Sequence, residues 1–316
     1  MAAFPEKRAL PPETIDALRP PRIGFPYFLH AEQFPFQSQA TDFSAVNAWW
    51  LADAALLVYG DADFVESALD ASPLVRMGYR LGWLGTRTEN RGIVLDGPEA
   101  LILVFRGTRV QAHTLLDAAE IVFLNQNDLW TDSQFLPARA AVGGRVHAGF
   151  LKAFSEVQGQ VDQLVRGRRP GQAVWLAGHS LGGALATLAA AHLGADAVQG
   201  LYTYGAPRVG NSGLTPALPQ RSFFRFVHRD DLVTTVPPDW LGYVHAGISH
   251  VLRGDAPRSL WKDFTQGAAE LASAAQRMAK ALRLDMGSLP FKVGGLADHA
   301  PVYYATLLWN ELLEST

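Results

Sequence analysis

The sequence predicts an α/β protein built on a largely parallel sheet covered on both faces. Apolar runs of strand length alternate along the chain with stretches of helical spacing. One run, Ala173 to Ala177, turns abruptly through Gly178-His179-Ser180-Leu181-Gly182 and leaves as an Ala/Leu-rich helix from Gly183 to about Leu193. The 316 residues are 48% hydrophobic and 18% charged, which is core enough for one large domain over 1–316. Neither an internal repeat nor a dividing linker interrupts the chain.

In order, residues 1–40 form a Pro-rich arm. Its prolines at 5, 11, 12, 20, 21, 26 and 35 are interleaved with Ile23, Phe25, Tyr27, Phe28, Phe34 and Phe36. That apolar content predicts an extended arm laid over the domain rather than a free tail. Helical spacing of Val46, Trp49, Trp50, Leu56 and Leu57 predicts a helix over 43–59. Ile93 to Leu95 and Leu101 to Phe105 read as strands around a Gly97-Pro98 turn. A single helix is predicted over 148–166, where Phe150, Phe154, Val157, Val161 and Leu164 recur at intervals of four and three and Gly167 can cap. Leu201 to Tyr204 and Phe223 to Val227 are the next strands.

Two segments look added to that core. In the first, Thr114 and Asp117 have capping-box spacing and open a short helix, Leu115 to about Asn125, with Ile121 and Leu124 spilling off its apolar side. In the second, a helical insertion over 254–290, Phe264, Ala268, Leu271, Ala275, Met278 and Leu282 make a narrow apolar seam suited to packing on the domain.

Composition excludes several functions. A net charge of -3 gives no basic footprint for nucleic acid or an anionic membrane. The absence of cysteine removes disulfides, thiolate metal sites and a Cys nucleophile. No metal-ligand cluster is apparent, and the glycines of 205–213 lack the spacing of a nucleotide-binding loop, so no cofactor is expected. The N-terminus has no secretory signal, which leaves a cytoplasmic protein or export by another route, and no window is long enough to span a bilayer.

Gly-x-Ser-x-Gly arises by chance in roughly one chain in ten of this size, so the strand and helix around it matter. A serine on such a turn sits in a strained conformation with its hydroxyl presented, and Gly178 and Gly182 are required because side chains there would collide with the neighbouring strand or helix. A serine hydroxyl needs an imidazole to take its proton, and the imidazole needs a carboxylate. In the order Ser, acid, His, the acid falls in the loop after the strand at 223–227, where Asp230 and Asp231 compete. His245, His250 and His299 then remain of nine histidines. The backbone N–H of Leu181, at the helix start, is an oxyanion donor.

Five blocks make the chain resemble the class 3 lipases, a family of α/β-hydrolase fold with a mostly parallel central sheet flanked by helices and a helical lid. These are Val104-Phe105-Arg106-Gly107-Thr108, Val146-His147-Ala148-Gly149-Phe150, Gly178 to Gly183, Tyr202-Thr203-Tyr204-Gly205-Ala206-Pro207-Arg208-Val209-Gly210-Asn211, and Asp231-Leu232-Val233 with Pro237-Pro238. The matches cover roughly 44–250 plus a late histidine. The resemblance implies Ser180 as nucleophile, Asp231 as acid and Thr108 as the second oxyanion donor. It implies His299 as base, in an Asp298-His299 pair like the Asp-His-x-x-Tyr form of plant and bacterial members with one extra residue, His245 being the main rival. Thr234 stands where a Pro is common. The resemblance further implies a lid over 109–141 and a lipid ester substrate met at a lipid–water interface, or alternatively soluble short-chain or feruloyl-type esters. A non-catalytic binding module on the same scaffold would need a broken triad, and every member has a candidate.

Overall fold

The helix start and the strand ends that carry the predicted site lie along one edge of a seven-stranded sheet. The computed structural model describes residues 5–108, 137–141, 143–254 and 297–316. In chain order the main elements are α1 (Ala45–Leu57), α2 (Ala62–Ala71), β1 (Arg80–Gly85), β2 (Asn90–Asp96), β3 (Ala100–Phe105), β4 (Pro137–Arg139), β5 (Arg145–His147), α3 (Ala148–Ser155), α4 (Gln158–Arg166), β6 (Ala173–His179), α5 (Leu181–Leu193), β7 (Gly200–Tyr204), β8 (Phe223–His228), β9 (Ile248–Leu252) and α6 (Pro301–Ser315). The sheet order is β1-β2-β3-β6-β7-β8-β9. The first three strands are antiparallel neighbours, and β3, β6, β7, β8 and β9 run parallel. The sheet is therefore mostly parallel, flanked by helices, as the alternation predicts.

Each face has its own core. On one, α1 and α6 pack with Trp175, Tyr202, Tyr204 and Phe226. On the other, α3, α4 and α5 pack with Leu103, Phe105, Leu176 and Leu201. Helix α1 is buried at every position from Val46 to Leu57, and α5 from Gly182 to Ala191; both are apolar on all sides, as central helices must be. Ser44 caps α1, its hydroxyl accepting from Asn47 N at 3.0 Å. The tyrosines of the 202–211 block turn toward this helix: Tyr204 Oη donates to the Ala48 carbonyl at 2.8 Å, and Tyr202 Oη accepts from Ser44 N at 3.0 Å. Thr203, between them, faces α5.

The arm lies against α1 and α6. Trp309 donates to the Glu6 carbonyl, Tyr303 to the Pro11 carbonyl and Trp175 to the Ser38 carbonyl. Arg8 reaches the fully buried Asp53 of α1 at 3.1 Å and lies over the rings of Phe25 and Trp309. Cation–π contact thus adds to the ion pair.

The single helix predicted over 148–166 is two. It breaks at Glu156 and Val157, so that α4 can swing toward the end of β1, where Gln160 exchanges hydrogen bonds with both backbone groups of Gly85. Val161 and Val165 are its buried face, and Leu164 is only partly covered. The predicted cap holds: Gly167 N donates to the Gln163 carbonyl. Helices α2 and α6 and strands β1 and β9 were not expected from the sequence reading. The helix at 115–125 and the one within 254–290 lie outside the described residues. Of the segment 109–141 the described end is β4, paired antiparallel with β5.

Candidate active site

Strand β6 ends at His179, and Ser180 turns the chain into α5 with φ 58° and ψ -130°. A non-glycine residue at positive φ is strained, and the surroundings hold it there. Ser180 N donates to the Tyr204 carbonyl at 2.9 Å, while the Ser180 carbonyl accepts from Gly183 N. A Cβ on Gly178 would strike the backbone of Gly182, and one on Gly182 would strike the Phe105 carbonyl. Both glycines are thus required by close backbone approach, as the motif predicts. Leu181 is the first residue of α5, where amides have no intrahelical acceptor and the helix dipole favours negative charge.

The approach of Gly182 to Phe105 also brings the exit of β3 beside this turn. Gly107 has no room for a side chain against Tyr59 Oη and the His179 carbonyl. Thr108 follows directly and is partly buried.

Asp231 follows β8 and is fully buried. Its Oδ1 accepts from Val233 N at 2.9 Å, which pins the 3-10 turn Leu232–Thr235. Its Oδ2 accepts from Tyr304 Oη at 2.5 Å. Burial, and then the adjacent Asp231 charge, push the Tyr304 phenol far up, so it stays a donor. His299 Nδ1 lies 3.0 and 2.9 Å from the two carboxylate oxygens. A carboxylate only accepts, so Nδ1 carries the proton and Nε2 offers its lone pair. That Nε2 is buried and without a partner among the described residues.

The rival groups point elsewhere. Asp230 is exposed, and its backbone N–H donates to Asp298. His245 Nε2 contacts the Thr234 carbonyl at 2.7 Å, and His250 Nε2 pairs with Glu311 at 2.7 Å. Neither reaches Asp231. The structure therefore brings His299 and Asp231 together, and it sets the Leu181 amide and Thr108 on the two backbones that meet at Gly182.

Three further residues act on the site that sequence reasoning did not single out. His179 Nε2 lies 2.7 Å from the His299 carbonyl, so it must donate; Nδ1 is then the acceptor for Tyr59 Oη at 2.8 Å. Burial, and then the neighbouring His299, hold His179 well below its ordinary value, and this neutral ring tethers the His299 backbone to the serine turn. Gly205 has φ +55°, and a Cβ there would come 2.5 Å from Asp231 Oδ2 and 2.9 Å from His299 Nδ1. Arg208 donates from Nη1 to the carbonyls of Thr235 and Pro237, bracing the turn after Asp231. His147, in another of the matched blocks, is a buried helix cap for α3, kept neutral by burial that lowers it to about 4. Among the described residues no group of three or more His, Asp or Glu could hold a metal ion.

A mostly parallel sheet with a strained serine between β6 and α5, followed by an acid after β8 and a histidine before the last helix, is the α/β-hydrolase fold. Residues 102–240 match the model of the family described as Lipase (class 3). Over that stretch, which is less than half of the chain, it is similar to the class 3 lipases. "Secreted mono- and diacylglycerol lipase 1" of Fusarium solani is 40% identical over 129 residues, which is 39% of this chain and 38% of that protein. "Lipase" of Rhizopus niveus is 33% identical over 178 residues, 51% of this chain and 41% of that protein. The chain thus spans less than half the length of these relatives. Among solved structures, the mono- and diacylglycerol lipase from Aspergillus oryzae shares the fold with a TM-score of 0.52 at 22% identity, covering 70% of this chain and 84% of that one.

Proposed function

We propose that this protein is a serine carboxylic-ester hydrolase, acting on acylglycerols through an acyl-enzyme, with Ser180, His299 and Asp231 as its triad. The observation that carries this reading is the buried Asp231–His299 pair, whose geometry leaves Nε2 as an unprotonated base. In the proposed reaction Ser180 Oγ attacks the ester carbonyl carbon as Nε2 takes its proton. Asp231 stabilises the imidazolium. The negative charge on the carbonyl oxygen falls between the Leu181 amide and Thr108. Collapse breaks the ester C–O bond, and the imidazolium returns its proton to the departing alcohol. Water then repeats the sequence on the acyl group and releases the carboxylic acid.

The acylglycerol reading rests on the names of the relatives and on the apolar residues on both sides of the segment 115–125, which suit a lid over 109–141 that meets a lipid surface. Two relatives are named as secreted, and export is the location we propose here; no helix among the described residues is long and apolar enough to cross a membrane. A fluorophosphonate should label the wild type at Ser180 and leave Ser180→Ala unlabelled; a wild type that resists the probe overturns the proposal.

Gly205→Ala tests the packing around the pair. Its Cβ would push directly on Asp231 and His299, and the positive φ adds roughly 1–2 kcal/mol of strain. We expect kcat on a soluble ester to fall about a hundredfold with little change in KM, because a displacement near 1 Å costs that much. Steady-state kinetics on folded protein decides it.

A further inference from the structure

We propose that the cleft between β8 and the loops following β7 and Tyr243 is a binding site for a small oxyanion, a carboxylate, phosphate or sulfate, centred on Arg225. It is separate from the serine site and independent of the reading proposed for it.

Arg225 is the register partner of Thr203 across β7 and β8, so both side chains leave the sheet on the α5 face. Along β8 the neighbour two residues earlier on that face is Phe223, part of the apolar core. A guanidinium there is out of pattern. Its Nε is buried without a hydrogen-bond partner among the described residues, and so is the Thr203 hydroxyl beside it. The side chain of Arg225 forms no ion pair among the described residues. The cleft they share has about 340 Å³ of space, its open mouth included. Thr187, Asn211, Phe223 and His245 also line it, and among the described residues no carboxylate does. Burial, and then the nearby Arg208, hold Arg225 below its ordinary value. His245 is lowered to about 4 by burial, and then by Arg225 and Arg208. The negative charge that favours Arg208 is Asp239, and the group that raises Arg225 is the Tyr304 phenol; neither residue lines the cleft.

An uncompensated guanidinium and an orphaned hydroxyl in one cleft are costly unless something accepts from both. A planar carboxylate or a tetrahedral oxyanion does so, with two oxygens on the guanidinium fork and a third contact to Thr203 or the Asn211 amide. The enclosed part of the cleft is only about 20 Å³, so a small free anion at its mouth fits it and a bulky organic ligand does not.

The test is thermal unfolding of the full chain in sodium phosphate, sulfate and acetate, each against sodium chloride at equal ionic strength. A saturable rise of about 2 °C is expected at roughly ten times Kd. Response to acetate as well as phosphate identifies a carboxylate-tolerant site; response to phosphate and sulfate alone identifies a tetrahedral one. Arg225→Met should abolish the rise, and Arg225→Lys, which keeps the charge without the fork, should weaken it severalfold. As a second readout, phosphate should raise the His245 titration midpoint in histidine NMR. Equal shifts in chloride, or an undiminished phosphate response in Arg225→Met, would overturn the proposal.

Discussion

Asp231→Asn should lower kcat by about four orders of magnitude while leaving the protein folded. The carboxylate accepts from His299 Nδ1, Val233 N and Tyr304 Oη. An asparagine keeps the size and one carbonyl oxygen for Val233 N, so the turn Leu232–Thr235 survives. Its amide NH2, however, meets a partner that must now accept. The imidazole proton shifts to Nε2, and the nitrogen that served as the base becomes a donor. On the proposed mechanism Ser180 then has no base. Circular dichroism should match wild type and thermal unfolding fall only by the few degrees that the Tyr304 hydroxyl's lost acceptor costs, whereas the acylation rate with a chromogenic ester should collapse. A loss of less than tenfold would show that Asp231 is not the group holding the ring.

The same pair shows where sequence reasoning is sharp and where it stops. The elbow is legible because the constraint is local: Gly178 and Gly182 face backbone within a few residues or on the adjoining strand, and no other residue type fits. The choice between Asp230 and Asp231 is not local. It depends on which carboxylate points inward past Val233, and a one-residue shift along a strand exit reverses that direction. His299, His245 and His250 are likewise separated only by where α6 and β9 bring them, and neither element announced itself. Helix α6 is buried along most of its length, but its entry at Ala300 and Pro301 carries no capping side chain to mark it. The break at Glu156 was hidden for a similar reason. The four-and-three spacing of apolar residues continues through it, while the demand for the break comes from Gly85 on a distant strand. Gly205 was visible as part of a specific block, yet its reason lies in two residues far along the chain.

Arg8→Met should be the most destabilising single change in the arm, by about 3–5 kcal/mol at pH 7–8. Asp53 is completely buried in α1, and its carboxylate accepts from Arg8 Nη1 at 3.1 Å and Phe28 N at 2.9 Å. Burial pushes the Asp53 carboxyl up, and the Arg8 charge is the largest influence pulling it back. Methionine retains the apolar stem beside Phe25 and Trp309 but leaves the carboxylate without a counter-charge in a dry site. The sign with pH follows. In the variant the folded-state carboxyl rises further above its unfolded value, so the folded form takes up a proton more readily than the unfolded one. The stability deficit is therefore full well above that raised value and shrinks as pH falls through it. Urea unfolding of wild type and variant at pH 5 and pH 8 should show the gap closing toward acid. Arg8→Met combined with Asp53→Asn should recover most of the loss at pH 8, because it removes the stranded charge rather than the arm's packing. A deficit of equal size at both pH values, unrelieved by the second change, would mean that the stranded Asp53 charge is not its cause.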